Sequence, residues 1–240
     1  METQKTIKRM GWLQSGSLFI PAAFMLMVET HYLIPYLSSK TGQETILFWF
    51  IVAGIGMFFP LILVALVILN REGYGLRRST WRERLRFKPL TQADRMWSIG
   101  SLVMIGLFSV IVMKGLEIAV GTFDHSPPFM AFEPLTPGRN WLLAVWLPYW
   151  ILNIMGEEIL WRGVMLPRQE IAFGNTAWLV HAAGWALFHA AFGWQLLITL
   201  LPILVIQPYV VQKRKNSWIG VIIHGGFNGP SFLAIALGML

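Results

Sequence analysis

The chain alternates long apolar stretches with short polar segments. Seven stretches of roughly 17–25 mostly apolar residues have the length that a helix needs to cross a bilayer. They cover residues 12–37, 46–69, 97–120, 141–166, 176–193, 195–211 and 217–239. The mean hydropathy of +0.58 agrees with them. The pattern predicts an all-α, polytopic transmembrane bundle of about seven helices, forming a single integral membrane domain over residues 1–240.

The positive charges are concentrated in connections that would share one side of the membrane. Most of the 19 lysines and arginines lie near the N-terminus, in residues 71–95, at Arg168 and in residues 213–215. The positive-inside rule then predicts a cytoplasmic N-terminus. Topology and anionic headgroups explain the net charge of +7, so we expect no nucleic-acid partner.

Two connections invite an interpretation of their own. In residues 71–95, arginines alternate with Trp81, Leu85 and Phe87, which would suit a short interfacial helix. We favour the simpler interpretation of a charge run that only sets topology. The proline-rich segment 121–139 is expected to be an irregular outer loop that acts as a lid.

The fourth apolar stretch contains Glu157, Glu158 and Arg162. Ionisable groups are costly within a membrane and therefore indicate function. On a regular helix Glu158 and Arg162 face one another and should pair. Glu157 points about 100° away from Glu158, which leaves it available as a general base.

Further polar groups occur in later stretches. Trp185 and His189 share one helix face, and His224 and Asn228 share another. A rise of about 1.5 Å per residue places Glu157, His189 and His224 roughly 10–20 Å from one membrane surface, so they can meet. His31 and His125 are instead expected to make interhelical hydrogen bonds.

Three motifs formed by these residues resemble those of the CPBP family of intramembrane proteases, which includes the type II CaaX prenyl endopeptidases. They are Glu157-Glu158-Ile-Leu-Trp-Arg162, Trp185-Ala-Leu-Phe-His189 and His224-Gly-Gly-Phe-Asn228. The family writes them E-E-x-x-x-R, F-x-x-x-H and H-x-x-x-N. The resemblance covers residues 141–240 as a catalytic core, while residues 12–120 are only helical and hydrophobic. Trp185 replaces the usual phenylalanine, a change expected to affect packing more than chemistry.

The resemblance implies a role for each motif residue. Glu157, helped by His189, would activate the hydrolytic water, while His224 and Asn228 would bind the oxyanion. Glu158, Arg162 and Trp185 would support them. Glu157, His189 and His224 are also acceptable ligands for a divalent metal, most naturally zinc, but a metal-free glutamate mechanism fits equally well. The implied partners are the lipid bilayer and a membrane-bound or prenylated CaaX peptide.

Other functions compete with that of an intramembrane protease. The chain has no cysteine nucleophile, and H-E-x-x-H, G-x-G-D and intramembrane G-x-S-G motifs are absent. A non-proteolytic scaffold, an immunity factor or a regulator of transport on the same fold is the main alternative. An ion path ranks lower, because the polar groups cluster at one depth. The sequence does not indicate an oligomeric state.

Overall fold

The computed structural model describes residues 7–75, 77–121 and 133–239. Within these ranges the chain forms seven long helices and no β-strand, which confirms the predicted all-α bundle. The helices are α1 (Trp12–Thr41), α2 (Thr45–Arg71), α3 (Gln92–Val120), α4 (Trp141–Glu157, continued by Glu158–Met165 and Leu166–Phe173), α5 (Ala177–His189), α6 (Trp194–Arg214) and α7 (Ser217–Ala236). His125 and most of the proline-rich segment lie outside the described residues, so the expected lid and the expected hydrogen bond of His125 stay predictions.

Five helices, α1, α2, α3, α6 and α7, are long and apolar enough to cross a membrane. The protein is therefore an integral membrane protein. The other two predicted spans, 141–166 and 176–193, are helical, but they differ from the five. α5 has only 13 residues, and α4 contains Glu157, Glu158 and Arg162. Their crossing of the bilayer stays a prediction.

Contacts between helix ends show that the basic segments gather at one end of the bundle. The amide of Met10 donates to the carbonyl of Arg168, and Arg214 pairs with Asp94 at the start of α3 over 2.8 Å. We call this the basic end. At the opposite end Arg139 pairs with Glu44, which joins the beginnings of α4 and α2. Consecutive helices thus run antiparallel, as predicted; the cytoplasmic placement of the N-terminus stays a prediction.

The basic loop between α2 and α3 is more than a charge run that sets topology, so the interpretation we favoured was wrong for two of its arginines. Arg84 is buried, and its Nε donates to Glu72 Oε2 over 2.6 Å. Its Nη1 and Nη2 donate to the carbonyls of Gly163 and Val164 over 2.9 and 3.3 Å. The loop therefore binds the helix that carries the first motif.

A second arginine of the loop binds the end of α4. Arg86 donates through both Nη atoms to the two carboxylate oxygens of Glu170, each over 2.8 Å, and Lys215 pairs with the same carboxylate. Burial alone would raise the pKa of Glu170. The two cations outweigh burial and hold this pKa below its usual value.

This lowered pKa predicts a pH-dependent contribution of Glu170 to stability. A carboxylate with a depressed folded-state pKa stabilises the fold above its unfolded pKa of about 4.5, and this contribution disappears as the pH falls through the folded value. Glu170→Gln should therefore lower the melting temperature near neutral pH, and the difference from wild type should shrink below about pH 4.5. Thermal melts of both proteins across this range check it; a constant difference would contradict the assignment.

Close backbone contact sets the position of α4 against α2. A Cβ atom at Gly156 would overlap the carbonyl of Phe58, so only glycine permits this approach. About two helical turns earlier on α4, the hydroxyl of Tyr149 accepts a hydrogen bond of 2.6 Å from Trp49. These contacts place Glu157, the next residue after Gly156, at the centre of the bundle.

Candidate active site

The helix α4 changes its winding where the first motif begins. The regular α-helix ends at Glu157, and residues Glu158–Met165 form wider turns with i to i+5 hydrogen bonds. Such π-helical turns leave neighbouring carbonyls without their usual helical donors, and they are frequent at functional sites. In this chain the carbonyls of Gly163 and Val164, within this segment, accept from Arg84.

Glu157 is almost completely buried, with 1% of its surface exposed. Its Oε2 accepts a hydrogen bond of 2.6 Å from the indole Nε1 of Trp185, and its Oε1 accepts one of 3.3 Å from Asn153 Nδ2. As expected, it is not the hydrogen-bond partner of Arg162. Both contacts come from uncharged donors, so the carboxylate is oriented without being paired to a cation.

Glu158 and Arg162 form the predicted pair deep in the bundle, both at 0% exposure. Arg162 Nη1 lies 3.3 Å from Glu158 Oε1. The guanidinium carbon also lies 3.6 Å from the ring centroid of Trp185, a stacked cation–π arrangement. Arg162 is thus held between a carboxylate and an aromatic face.

His224 contacts the second glutamate of the motif. Its Nδ1 lies 3.0 Å from Glu158 Oε1, which also accepts a 2.7 Å hydrogen bond from Gln207 Nε2. Gln207 donates as well to the carbonyl of Gly220, over 3.2 Å. A Cβ atom at Gly220 would overlap the other oxygen of Glu158, so α7 needs glycine there. Glu158 therefore connects α4, α6 and α7.

His189, at the end of α5, has a defined tautomer when it is neutral. Its Nδ1 lies 2.9 Å from the carbonyl oxygen of Trp185. A carbonyl can only accept, so Nδ1 carries the proton and Nε2 keeps its lone pair. The ring is half-buried, and it makes edge contacts with Trp185, Phe188 and Phe192. The described residues give Nε2 no hydrogen-bond partner, so this nitrogen is available as a base or a hydrogen-bond acceptor.

The indole of Trp185 is the point where the three motifs meet. Its N–H binds Glu157, its face stacks on Arg162, and its ring lies edge-on to His189 and His224 at centroid distances of 5.2 and 5.5 Å. Phenylalanine has no N–H to donate. The expectation that the tryptophan affects packing more than chemistry stays a prediction, but it did not foresee this contact: in this chain the indole also donates to Glu157.

Asn228 lies one turn after His224 on α7 and is half-buried. Its side chain makes no hydrogen bond to another described residue, so its amide is available for an external ligand. Together with His189 it is more exposed than the glutamates, Arg162 and His224. These two residues mark the accessible side of the cluster.

Sequence reasoning missed two polar residues of this cluster, Asn153 and Gln207. Asn153 precedes Glu157 by four residues, so the i, i+4 spacing was a usable signal. Gln207 lies in an apolar helix between Pro202 and Pro208 and has no motif around it. Its completely buried amide becomes informative only when the fold brings it to Glu158.

Two other histidines belong to structural contacts. His181 Nδ1 lies 2.7 Å from Gln169 Oε1, and Gln169 donates to Ser15 over 3.0 Å, so this histidine joins α5 to α4 and α1. His31 Nε2 lies 2.6 Å from the carbonyl of Ala191. That contact confirms the expected interhelical role of His31.

The residues considered as zinc ligands do not fit a metal in this arrangement. In the described parts of the chain, no three histidine, aspartate or glutamate side chains are grouped closely enough to hold a metal ion. Glu157 faces Trp185 and Asn153, whereas His224 faces Glu158. A zinc ion held by Glu157, His189 and His224 stays a prediction, and the proposed hydrolysis needs the side chains alone.

Comparison with protein families supports the resemblance given by the motifs. Residues 139–229 match the family described as type II CAAX prenyl endopeptidase Rce1-like. This range includes all three motifs and confirms the family resemblance for this part of the chain. Searches of curated proteins and of solved structures gave no match.

Proposed function

We propose that this protein is an intramembrane endopeptidase that hydrolyses a peptide bond with water activated by Glu157. The observation that carries the proposal is the convergence of all three motifs on the indole of Trp185. The match of residues 139–229 to an endopeptidase family also supports it. Buried acids that only stabilise a fold need not share one aromatic side chain with two imidazoles.

Glu157 has the properties of a general base. Its two oxygens are oriented by Trp185 and Asn153, and each retains lone-pair capacity beyond the single hydrogen bond that it accepts. A carboxylate in a water-poor site can take a proton from a water molecule as the oxygen attacks the peptide carbonyl. The free Nε2 of His189 would accept a hydrogen bond from the same water and orient it.

His224 and Asn228 would stabilise the negative charge that develops on the carbonyl oxygen. The Asn228 amide can donate directly. When His224 is doubly protonated, it donates from Nδ1 to Glu158 and from Nε2 to the oxyanion.

We further propose that the substrate is a lipidated peptide of the CaaX type, because the matched family is named for that activity. Purified protein in liposomes should cleave a prenylated CaaX peptide at least about tenfold faster than the same peptide without its prenyl group, since the lipid concentrates the peptide at the membrane. Chromatography of the products measures both rates. Equal rates for the two peptides would contradict the proposal that the substrate is lipidated, but they would still show peptidase activity. If neither peptide is cleaved, the proposal of a CaaX substrate is wrong.

Trp185→Phe tests the role of the indole N–H. The substitution removes one hydrogen bond to a charged group, for which a loss of roughly 10- to 100-fold in kcat is expected. KM should change little, because the lost contact orients Glu157 rather than substrate. Trp178→Phe on the same helix is the matched control, since Trp178 packs on Tyr209 away from the motifs. Equal rates for both variants would contradict this role.

A further inference from the structure

The arginines of the basic loop fall into two classes, those that form ion pairs and those that are exposed. Arg84 and Arg86 turn inward and are neutralised by Glu72 and Glu170. Arg78 and Arg82 lie four residues apart in the helical turn that ends at Arg84, and both are exposed. Neither of these two forms an ion pair with a carboxylate of the described residues. Within the described ranges, these two neighbouring guanidinium groups therefore have no carboxylate partner.

These arginines border a cavity of about 360 Å³ whose other walls are mainly aromatic. It is lined by Arg78, Trp81, Arg82, Phe87, Pro89 and Trp218. The three aromatic rings form a continuous series: Trp81 and Phe87 lie 5.5 Å apart between centroids, and Phe87 and Trp218 lie 5.1 Å apart. The cavity thus combines two cations with an apolar wall.

Hydrogen bonds hold the two sides of the cavity together. Trp218 is the second residue of α7, and its neighbour Ser217 donates from its amide to the carbonyl of Arg86 and from its hydroxyl to that of Leu85. Asn216 caps α7 and also donates to the carbonyl of Lys88. The loop and α7 are therefore fixed to each other, and the cavity exists before any ligand arrives.

The cavity lies at the basic end, where α3 and α7 begin and where tryptophan rings are expected at headgroup depth. A ligand that suits it carries a negative phosphate for the guanidinium groups and an apolar part for the rings. Free phosphate has no apolar part. A phospholipid with an anionic headgroup has both and is present at this depth.

We propose that this cavity binds an anionic membrane phospholipid. Arg78 and Arg82 contact its phosphate, and Trp81, Phe87 and Trp218 contact the glycerol and the upper acyl chain. Leu85 and Arg86 of the same loop contact α7 and α4, respectively. The bound lipid therefore contacts a loop that packs against two of the helices that carry the motifs. The inference does not depend on peptidase activity, and its test measures binding alone.

Native mass spectrometry of the purified protein in detergent provides that test. Phosphatidylglycerol and phosphatidylcholine are titrated separately into wild type, into an R78Q/R82Q double variant and into an R71Q/R77Q double variant. Arg71 ends α2 and Arg77 lies in the loop; both are exposed and neither lines the cavity. The two double variants therefore lose the same charge. Wild type should bind one phosphatidylglycerol at least about tenfold more tightly than phosphatidylcholine.

The variants separate a built site from general attraction to a basic surface. R78Q/R82Q should bind the two lipids equally, whereas R71Q/R77Q should keep the wild-type preference. An equal loss in both variants, or none in R78Q/R82Q, would overturn the proposal. Displacement of the lipid by inorganic phosphate at equal concentration would also overturn it, because the apolar contacts would then contribute nothing. Equal melting temperatures of the three proteins confirm that folding is unchanged.

Discussion

Replacing Glu157 by glutamine is expected to reduce kcat for peptide hydrolysis by roughly 10³-fold, the range that loss of a general base produces. Glutamine has the same shape, and its carbonyl oxygen can still accept the hydrogen bond from Trp185. It cannot take a proton from water. The fold and the substrate affinity should therefore persist while the chemical step fails, which steady-state kinetics in liposomes would show as a fall in kcat without a comparable rise in KM.

Glu117→Gln is the matched control for this variant. Glu117 is exposed on α3, and its one ion pair among the described residues is with Lys114, over 2.6 Å, so its loss should leave the rate within about twofold of wild type. A Glu157→Gln protein that keeps most of its activity would mean that the hydrolytic water is activated elsewhere.

Arg84→Gln is expected to destabilise the protein by about 3–5 kcal/mol, the range found when one partner of a buried ion pair is removed. The substitution leaves Glu72 buried and takes donors away from the carbonyls of Gly163 and Val164. Arg168 lies 3.5 Å from the same carboxylate and compensates in part, which favours the lower end of the range. Thermal or denaturant unfolding of the purified protein measures the difference.

Two further variants show whether this loss comes from the buried pair. Arg77→Gln removes an exposed charge from the same loop and should change stability by less than about 0.5 kcal/mol. The double variant Glu72→Gln/Arg84→Gln should recover part of the lost stability, because no uncompensated charge remains. Additive losses in the double variant would contradict the coupling of Glu72 and Arg84.

The number, direction and approximate limits of the helices could be predicted from the sequence because they depend on local hydropathy and on charge distribution. The pairing of Glu158 with Arg162 was also predictable, because the two residues are four positions apart in one helix. Contacts between helices were not predictable in detail. Glu158 and His224 are 66 residues apart, and no local pattern indicates that this glutamate, rather than Glu157, faces His224.

The basic loop shows where a sound sequence rule was insufficient. The positive-inside rule explains the presence of arginines wherever their side chains point. It therefore gave no reason to separate Arg84, which is buried against Glu72, from Arg82, which is exposed. That distinction depends on the acidic partners Glu72 and Glu170, which only the folded chain brings into place.

Trp185 shows a similar limit of motif comparison. An aromatic residue satisfies the shape of the second motif, but the indole also carries a donor that phenylalanine lacks. Its effect depends on where that donor points. In the fold it points at Glu157, over 2.6 Å.

Comparison of protein termini in cell membranes tests the central claim most directly. Membranes from cells that contain wild-type protein, Glu157→Gln protein at equal abundance, or neither are compared by mass spectrometry of newly formed termini. The account predicts termini that occur only with wild-type protein and that identify its substrate. Identical termini in all three membranes, with a deletion phenotype rescued equally by both versions, would contradict proteolysis and favour a scaffold on the same fold.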